Sequence, residues 1–152
     1  MRSVLIIGLL FLFVCSGQIL AKPIAKHLID ADPGEALLID VEKWFQAHPI
    51  EKGPARVEGV FKSPRAQVAF IRIKGGPIPR HIHTQVDEVI YIYKGEGEVY
   101  LNGKWTPVEA GNFHTCPRGV AHTIRTGEDR ELWAIAFFTD PLPPGGDRAI
   151  VD

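Results

Sequence analysis

Hydrophobic and polar residues alternate along most of this chain, and the stretches that break the alternation mark its boundaries. Residues 4–14 are almost wholly apolar. The run is too short to span a bilayer comfortably and fits the apolar region of a secretory signal. A basic lead precedes it at Arg2, and small residues follow at Cys15, Ser16, Gly17 and Ala21. Residues 1–21 are therefore expected to be a signal peptide, cleaved after Ala21, with no membrane span left behind and a secreted or periplasmic product. An uncleaved anchor is one alternative; a lipidated Cys15 is another, opposed by the bulk of Val14. Residues 22–54 form an N-terminal extension with the weakest pattern. Residues 37–39, Leu-Leu-Ile, resemble a short strand. Asp40 is placed to cap a short helix over residues 41–48, stopped by Pro49. Trp44 and Phe45 on that helix are expected to pack on the rest of the protein, and His27 and His48 to be ordinary surface residues.

From Val57 the period becomes two. Residues 57–61 and 67–74 read as strands joined at Ser63-Pro64. Residues 89–93, 98–101 and 105–108 follow, the last two joined by Asn102-Gly103, a strong hairpin signal. Residues 131–138 make a final strand that is apolar on both faces, a pattern that calls for cover on both sides. Residues 141–152 form a C-terminal tail, and its breaker-rich beginning, from Asp140 to Gly146, is expected to lie extended over the surface. With no internal repeat, residues 55–140 read as one all-β domain.

Charge narrows the choice of partner. Lys and Arg number 17 against 18 Asp and Glu, without a run of either sign. Neither nucleic acid nor an anionic membrane is an expected partner. Of the two cysteines, only Cys116 survives signal cleavage. No intrachain disulfide is then available, and Cys116 reads as a small buried apolar residue, with a ligand or redox role as the alternative.

The candidate chemistry lies between Gly75 and Gly95. His81 and His83 stand two apart, behind Pro77 and Pro79, which forbid a helix. On an extended strand their rings share one face. Glu88 opens an apolar strand, where a carboxylate is costly unless something positive pairs with it. Two imidazoles and a carboxylate suit a first-row transition metal. A second stretch, from Gly111 through Pro117 and Gly119 to His122, reads as strand, turn, strand, with His122 the first polar group of the returning strand.

Together these stretches resemble the two sequence motifs of the cupin superfamily. Gly75, His81, His83, Glu88 and Gly95 match the first motif; Gly111, Pro117, Gly119 and His122 match the second. Thr126 stands where the family often has Asn, at a position that is not a metal ligand. The resemblance implies a jelly-roll β-barrel with a metal held by His81, His83, Glu88 and His122. Three imidazoles and one carboxylate leave about two open positions on an octahedral ion, which favours Fe, Mn, Ni or Co, with Zn also possible. Strand parity turns Ile90, Ile92 and Ile124 toward the metal as a pocket lining. His114 is either a catalytic base near the metal or an outward-facing residue. One of Arg72, Arg80, Arg118 and Arg125 is a candidate clamp for a substrate carboxylate. The apolar outer faces require either the N-terminal segment or a second subunit, and a homodimer is expected. The function implied is a metal-dependent enzyme, of oxidoreductase, dioxygenase-like or lyase type, acting on a small organic molecule. The alternative is a non-catalytic protein of the cell envelope that binds a small molecule or the metal itself.

Overall fold

A computed structural model describes residues 36–152; the expected signal peptide and His27 lie outside the described residues. One helix, α1 (Val41–Ala47), precedes nine strands: β1 (Ala55–Ser63), β2 (Ala66–Lys74), β3 (His81–His83), β4 (Glu88–Leu101), β5 (Lys104–Glu109), β6 (Phe113–Cys116), β7 (Thr123–Arg125), β8 (Glu131–Phe138) and β9 (Arg148–Ile150). The strands form a jelly roll, as the motifs imply. The order β1-β2-β8-β4-β5 builds the main sheet, β6 and β7 add to β4, and β3 pairs with β9.

The long strand β4 holds the barrel together. Its first half pairs with β6 and β8, and its second half with β5 and β7. A register shift between Ile92 and Lys94 marks the change and bends the strand. Gly95 follows with φ of 86°, and a Cβ there would lie 2.1 Å from the Glu131 carbonyl oxygen. Only glycine tolerates both conditions. The sequence breaks this strand at Gly95; the structure carries the ladder through it, because the glycine lets β8 approach rather than ending the strand.

Both faces of β2 and β8 are apolar for different reasons. Inside, Ala69, Ile71 and Ile73 lie opposite Ala136, Ala134 and Leu132 and join Ile90, Ile92, Val99 and Ile124 in the barrel core. Outside, Phe70 and Trp133 pack under α1. Phe45 stacks on Trp133 with ring centroids 4.9 Å apart, and Trp44 meets Phe70 edge-on at 5.0 Å. The extension thus supplies part of the outer layer. Asp40 caps α1 as its position predicts, accepting from the Lys43 N–H at 3.1 Å. Among the described residues, no helix is long and apolar enough to cross a membrane.

Three expectations are corrected. Residues 37–39 form no strand: Leu38 is fully exposed, and Ile39 packs against the Trp44 cluster instead. His48 is half-buried, stacked on Trp44 with its Nδ1 2.6 Å from the Trp44 carbonyl. The C-terminal tail does not merely lie over the surface. After the turn at Gly145 and Gly146 it returns as β9, with Arg148 opposite His83 and Ile150 opposite His81. Strand β3 would otherwise expose a row of backbone groups along that edge, and the tail satisfies them.

Candidate metal centre

Strand β3 presents His81 and His83, the root of β4 presents Glu88, and His122 stands just ahead of β7. The backbones of His81 and His122 exchange two hydrogen bonds, at 3.1 and 2.9 Å. That bridge brings the two motifs together. Thr126 ties them a second time: its hydroxyl accepts the Gly75 N–H at 2.7 Å and donates to the Arg130 carbonyl at 2.8 Å. One ligand atom from each of His81, His83, Glu88 and His122 lies within 4.8 Å of the others, and none of the four residues is more than 3% exposed.

The rings are oriented for ligation. His81 Nδ1 lies 2.9 Å from the Pro79 carbonyl, and His122 Nδ1 lies 2.9 Å from the Val120 carbonyl. A carbonyl only accepts, so each Nδ1 carries the proton and donates. His83 Nδ1 donates to Asp147 Oδ1 at 2.5 Å. A neutral ring with its proton on Nδ1 leaves the Nε2 lone pair free. His83 Nε2 is buried without a hydrogen-bond partner, and His122 Nε2 meets Glu88 Oε2 at 3.1 Å. Two lone pairs at that distance repel unless a proton or a metal cation joins them. The donor set therefore fits a divalent transition metal bound through three Nε2 atoms and the Glu88 carboxylate.

The electrostatics of the metal-free centre follow from the same contacts. Burial would raise the Glu88 pKa, but the pairing with His122 and the close approach of His83, whose Nε2 lies 3.4 Å from Glu88 Oε2, hold it at about 2. Burial would lower His122, but Cys116 and Glu88 push it to about 10. His83, beside Glu88 and Asp147, is also raised against its burial. His81 lacks such a partner and is lowered by burial to about 4. Without metal, a proton on His122 occupies the position that a cation would take. Cys116, wholly buried on β6 opposite Glu88, is outside the cluster of four ligand atoms.

Beside the centre lies a narrow cavity with about 20 Å³ of free space, room for little more than one water molecule. Ile71, Ile78, Ile90, Val99 and Ile124 supply much of its wall, with Glu88, His81 and His122 at one end. Ile92 does not reach this wall. It lies two residues further along β4 and is wholly enclosed in the barrel core. His114 does reach it: β6 sets His114 opposite Ile90, hence on the inner face, and both of its ring nitrogens are buried with no hydrogen-bond partner. Burial lowers its pKa, and nearby His122 adds to this while Glu88 opposes it. A wider groove lined by Glu96, Glu98, Glu109 and Arg125 contains none of the four clustered residues.

None of the four arginines considered from the sequence lines this cavity. Arg72 pairs with Glu131 and Arg125 with Glu98, each at 2.7 Å. Arg118 pairs with Asp87 at 3.1 Å, and Arg80 lies over the Tyr100 ring. Each is drawn to a partner outside the cavity. The sequence reading instead missed Asp147 and Arg148, which adjoin the centre and the cavity. No periodicity singles them out in a tail full of proline and glycine.

Residues 70–138 match the model of the cupin domain family. The protein SchB of Streptomyces halstedii is 33% identical over 85 residues, which span 56% of this chain and 60% of SchB. Two solved structures share the fold. An uncharacterized conserved protein with a double-stranded β-helix domain, from Klebsiella pneumoniae, superposes with a TM-score of 0.63 at 19% identity, over 78% of this chain and 99% of that one. The polyketide cyclase RemF from Streptomyces resistomycificus superposes at 0.57 and 20% identity, over 65% of this chain and 72% of that one.

Proposed function

Because the chain is a cupin-domain protein, we propose that it is a metal-dependent enzyme acting on a small organic molecule, of oxidoreductase or lyase type. One observation carries this reading: three histidines whose Nδ1 atoms are all engaged turn their Nε2 atoms, with Glu88, toward one buried point beside a mostly apolar cavity. A bound metal would supply a Lewis acid with positions left open for substrate. The chain's own contributions are distinct. His81, His83, Glu88 and His122 hold the ion, the isoleucine wall excludes water from a small ligand, and His114 offers a neutral imidazole within the cavity. The likeness to a polyketide cyclase is one of fold and is in keeping with small-molecule chemistry in such a barrel.

The test is metal analysis of natively purified protein, followed by turnover and oxygen-uptake screens against small acids and phenols. Bound Fe, Mn, Ni or Co with turnover supports the reading. Metal with tight ligand binding and no turnover would replace it with the non-catalytic alternative. We also propose export after cleavage near Ala21. Mass spectrometry of the mature N-terminus checks this, and an intact Met1 in a membrane fraction would overturn it.

A further inference from the structure

The cavity carries two polar groups that the metal centre does not use. Arg148 stands opposite His83 across the β3–β9 ladder. Cross-strand partners project from the same face, so its side chain shares the face from which His83 reaches the metal centre. It lines the cavity together with His81, His114 and His122, while remaining open to solvent at the mouth. Among the described residues no carboxylate pairs with it, in contrast to Arg72, Arg118 and Arg125. His114 is the second group, with two ring nitrogens buried against the same space and no partner for either. A neutral imidazole has one donor and one acceptor, and leaving both unmade in a buried wall costs more than a typical hydrogen bond contributes. Nearly all the rest of the wall is aliphatic.

We propose that the site selects a small organic anion, with Arg148 taking the carboxylate at the mouth and His114 taking a second, hydrogen-bonding oxygen inside. The ligand class is thus a short hydroxy- or oxo-carboxylate. This rests on the metal-enzyme reading above and deepens it by naming what enters. Charge supports it. Glu88 and Asp147 together offset a divalent ion's two charges, and three neutral imidazoles offset none, so the unpaired Arg148 is left as the net charge at the entrance. With Arg148 the entrance is cationic, and an anion gains there what a neutral molecule of equal shape does not. The guanidinium fork also suits a carboxylate geometrically.

Three probes of similar size separate these contributions: glycolate, its neutral analogue glycolamide, and acetate, which lacks the hydroxyl. Their affinities are measured by calorimetry on cobalt-loaded protein, with metal content determined on the same samples. Wild type should prefer glycolate to both others. Arg148→Gln should weaken glycolate by about tenfold or more, the scale of a lost hydrogen bond to a charged group, and leave glycolamide and metal content unchanged. Arg148→Lys should recover part of the loss. His114→Phe should reduce the preference for glycolate over acetate while keeping that for glycolate over glycolamide. Equal glycolate affinity in wild type and Arg148→Gln, or no glycolate binding by metal-loaded wild type, overturns the anion assignment alone. A wild type that takes up no metal overturns the metal centre and this inference with it.

Discussion

Asp147 accepts a hydrogen bond from His83 Nδ1 at 2.5 Å, and neither side chain has any solvent exposure. A second Asp147 oxygen accepts the Gln85 N–H at 3.1 Å. The carboxylate thus fixes both the proton position on the ring and the loop between His83 and Glu88. A carboxylate behind a metal-binding imidazole orients it and raises its basicity. Asp147→Asn should lower metal affinity roughly 10- to 100-fold, because an amide can present its NH₂ to Nδ1 and allow the ring's proton to move to Nε2. Competition with a chromophoric chelator measures this; an unchanged affinity would remove Asp147 from the centre.

Metal uptake should displace a proton from His122. The usual histidine pKa is near 6.5, and in the metal-free centre His122 is held at about 10. Below that value the ring is protonated, so a metal must expel the proton to reach Nε2. Apparent affinity should therefore rise with pH through neutrality, by about tenfold per unit for one displaced proton, and the metal should be lost in mild acid. Calorimetry in buffers of different ionisation enthalpy counts the protons, and zero release at pH 7.5 would contradict the assignment. His122→Ala should lose most metal binding, whereas His114→Ala should retain full occupancy. The reverse pattern would mean that the ligands are misassigned.

How much of this centre could be read from the sequence depended on spacing. His81, His83 and Glu88 lie within one local stretch, and period-two geometry already places the histidines on one face. His122 was legible through a second stretch with its own turn residues. His114 was not settled, because strand parity cannot be carried across a turn. Its orientation comes from the β4–β6 register, which sets it opposite Ile90. Asp147 and Arg148 were out of reach for another reason: their role depends on the tail returning to β3, a pairing between residues more than sixty apart. The all-β class followed from alternation and the jelly roll from the resemblance of the two motifs, but residues 37–39 show the limit. Three apolar residues suit a strand only if a neighbour offers an edge, and here Ile39 is taken into the aromatic cluster under α1 instead.

Gly95 and Gly103 provide a matched test of backbone constraint. Their φ values are 86° and 84°, so an alanine meets similar left-handed strain at either, about 1–2 kcal/mol. Their surroundings differ. A Cβ at Gly103 meets nothing within 4 Å, whereas at Gly95 it lands 2.1 Å from the Glu131 carbonyl oxygen. Gly103→Ala should cost about 1–2 kcal/mol of stability. Gly95→Ala must also push β8 away from β4 and should cost more than about 3 kcal/mol. Denaturant melts of both variants decide it, and equal losses would show that the close approach of β8 is not what requires glycine.

The outer sheet face predicts self-association. Helix α1 covers Phe70 and Trp133, but Tyr91, Phe113 and Phe137 remain 40%, 69% and 45% exposed. The ladders set them side by side: Tyr91 pairs with Phe113 on one flank and Ile135 on the other, and Val89 pairs with Phe137. Contiguous exposed aromatics of this kind mark an interaction surface rather than scattered surface residues. A second copy is the occupant we expect, since a twofold axis would bury the same patch on both subunits at once. Sedimentation of the mature protein should show a dimer at micromolar concentration, and Phe113→Glu with Phe137→Glu should yield a folded monomer that keeps its metal. The metal centre lies on the inner face of β4 and does not need the partner. A wild type that sediments only as a monomer would overturn the dimer and leave the extension as the sole remaining cover for this face.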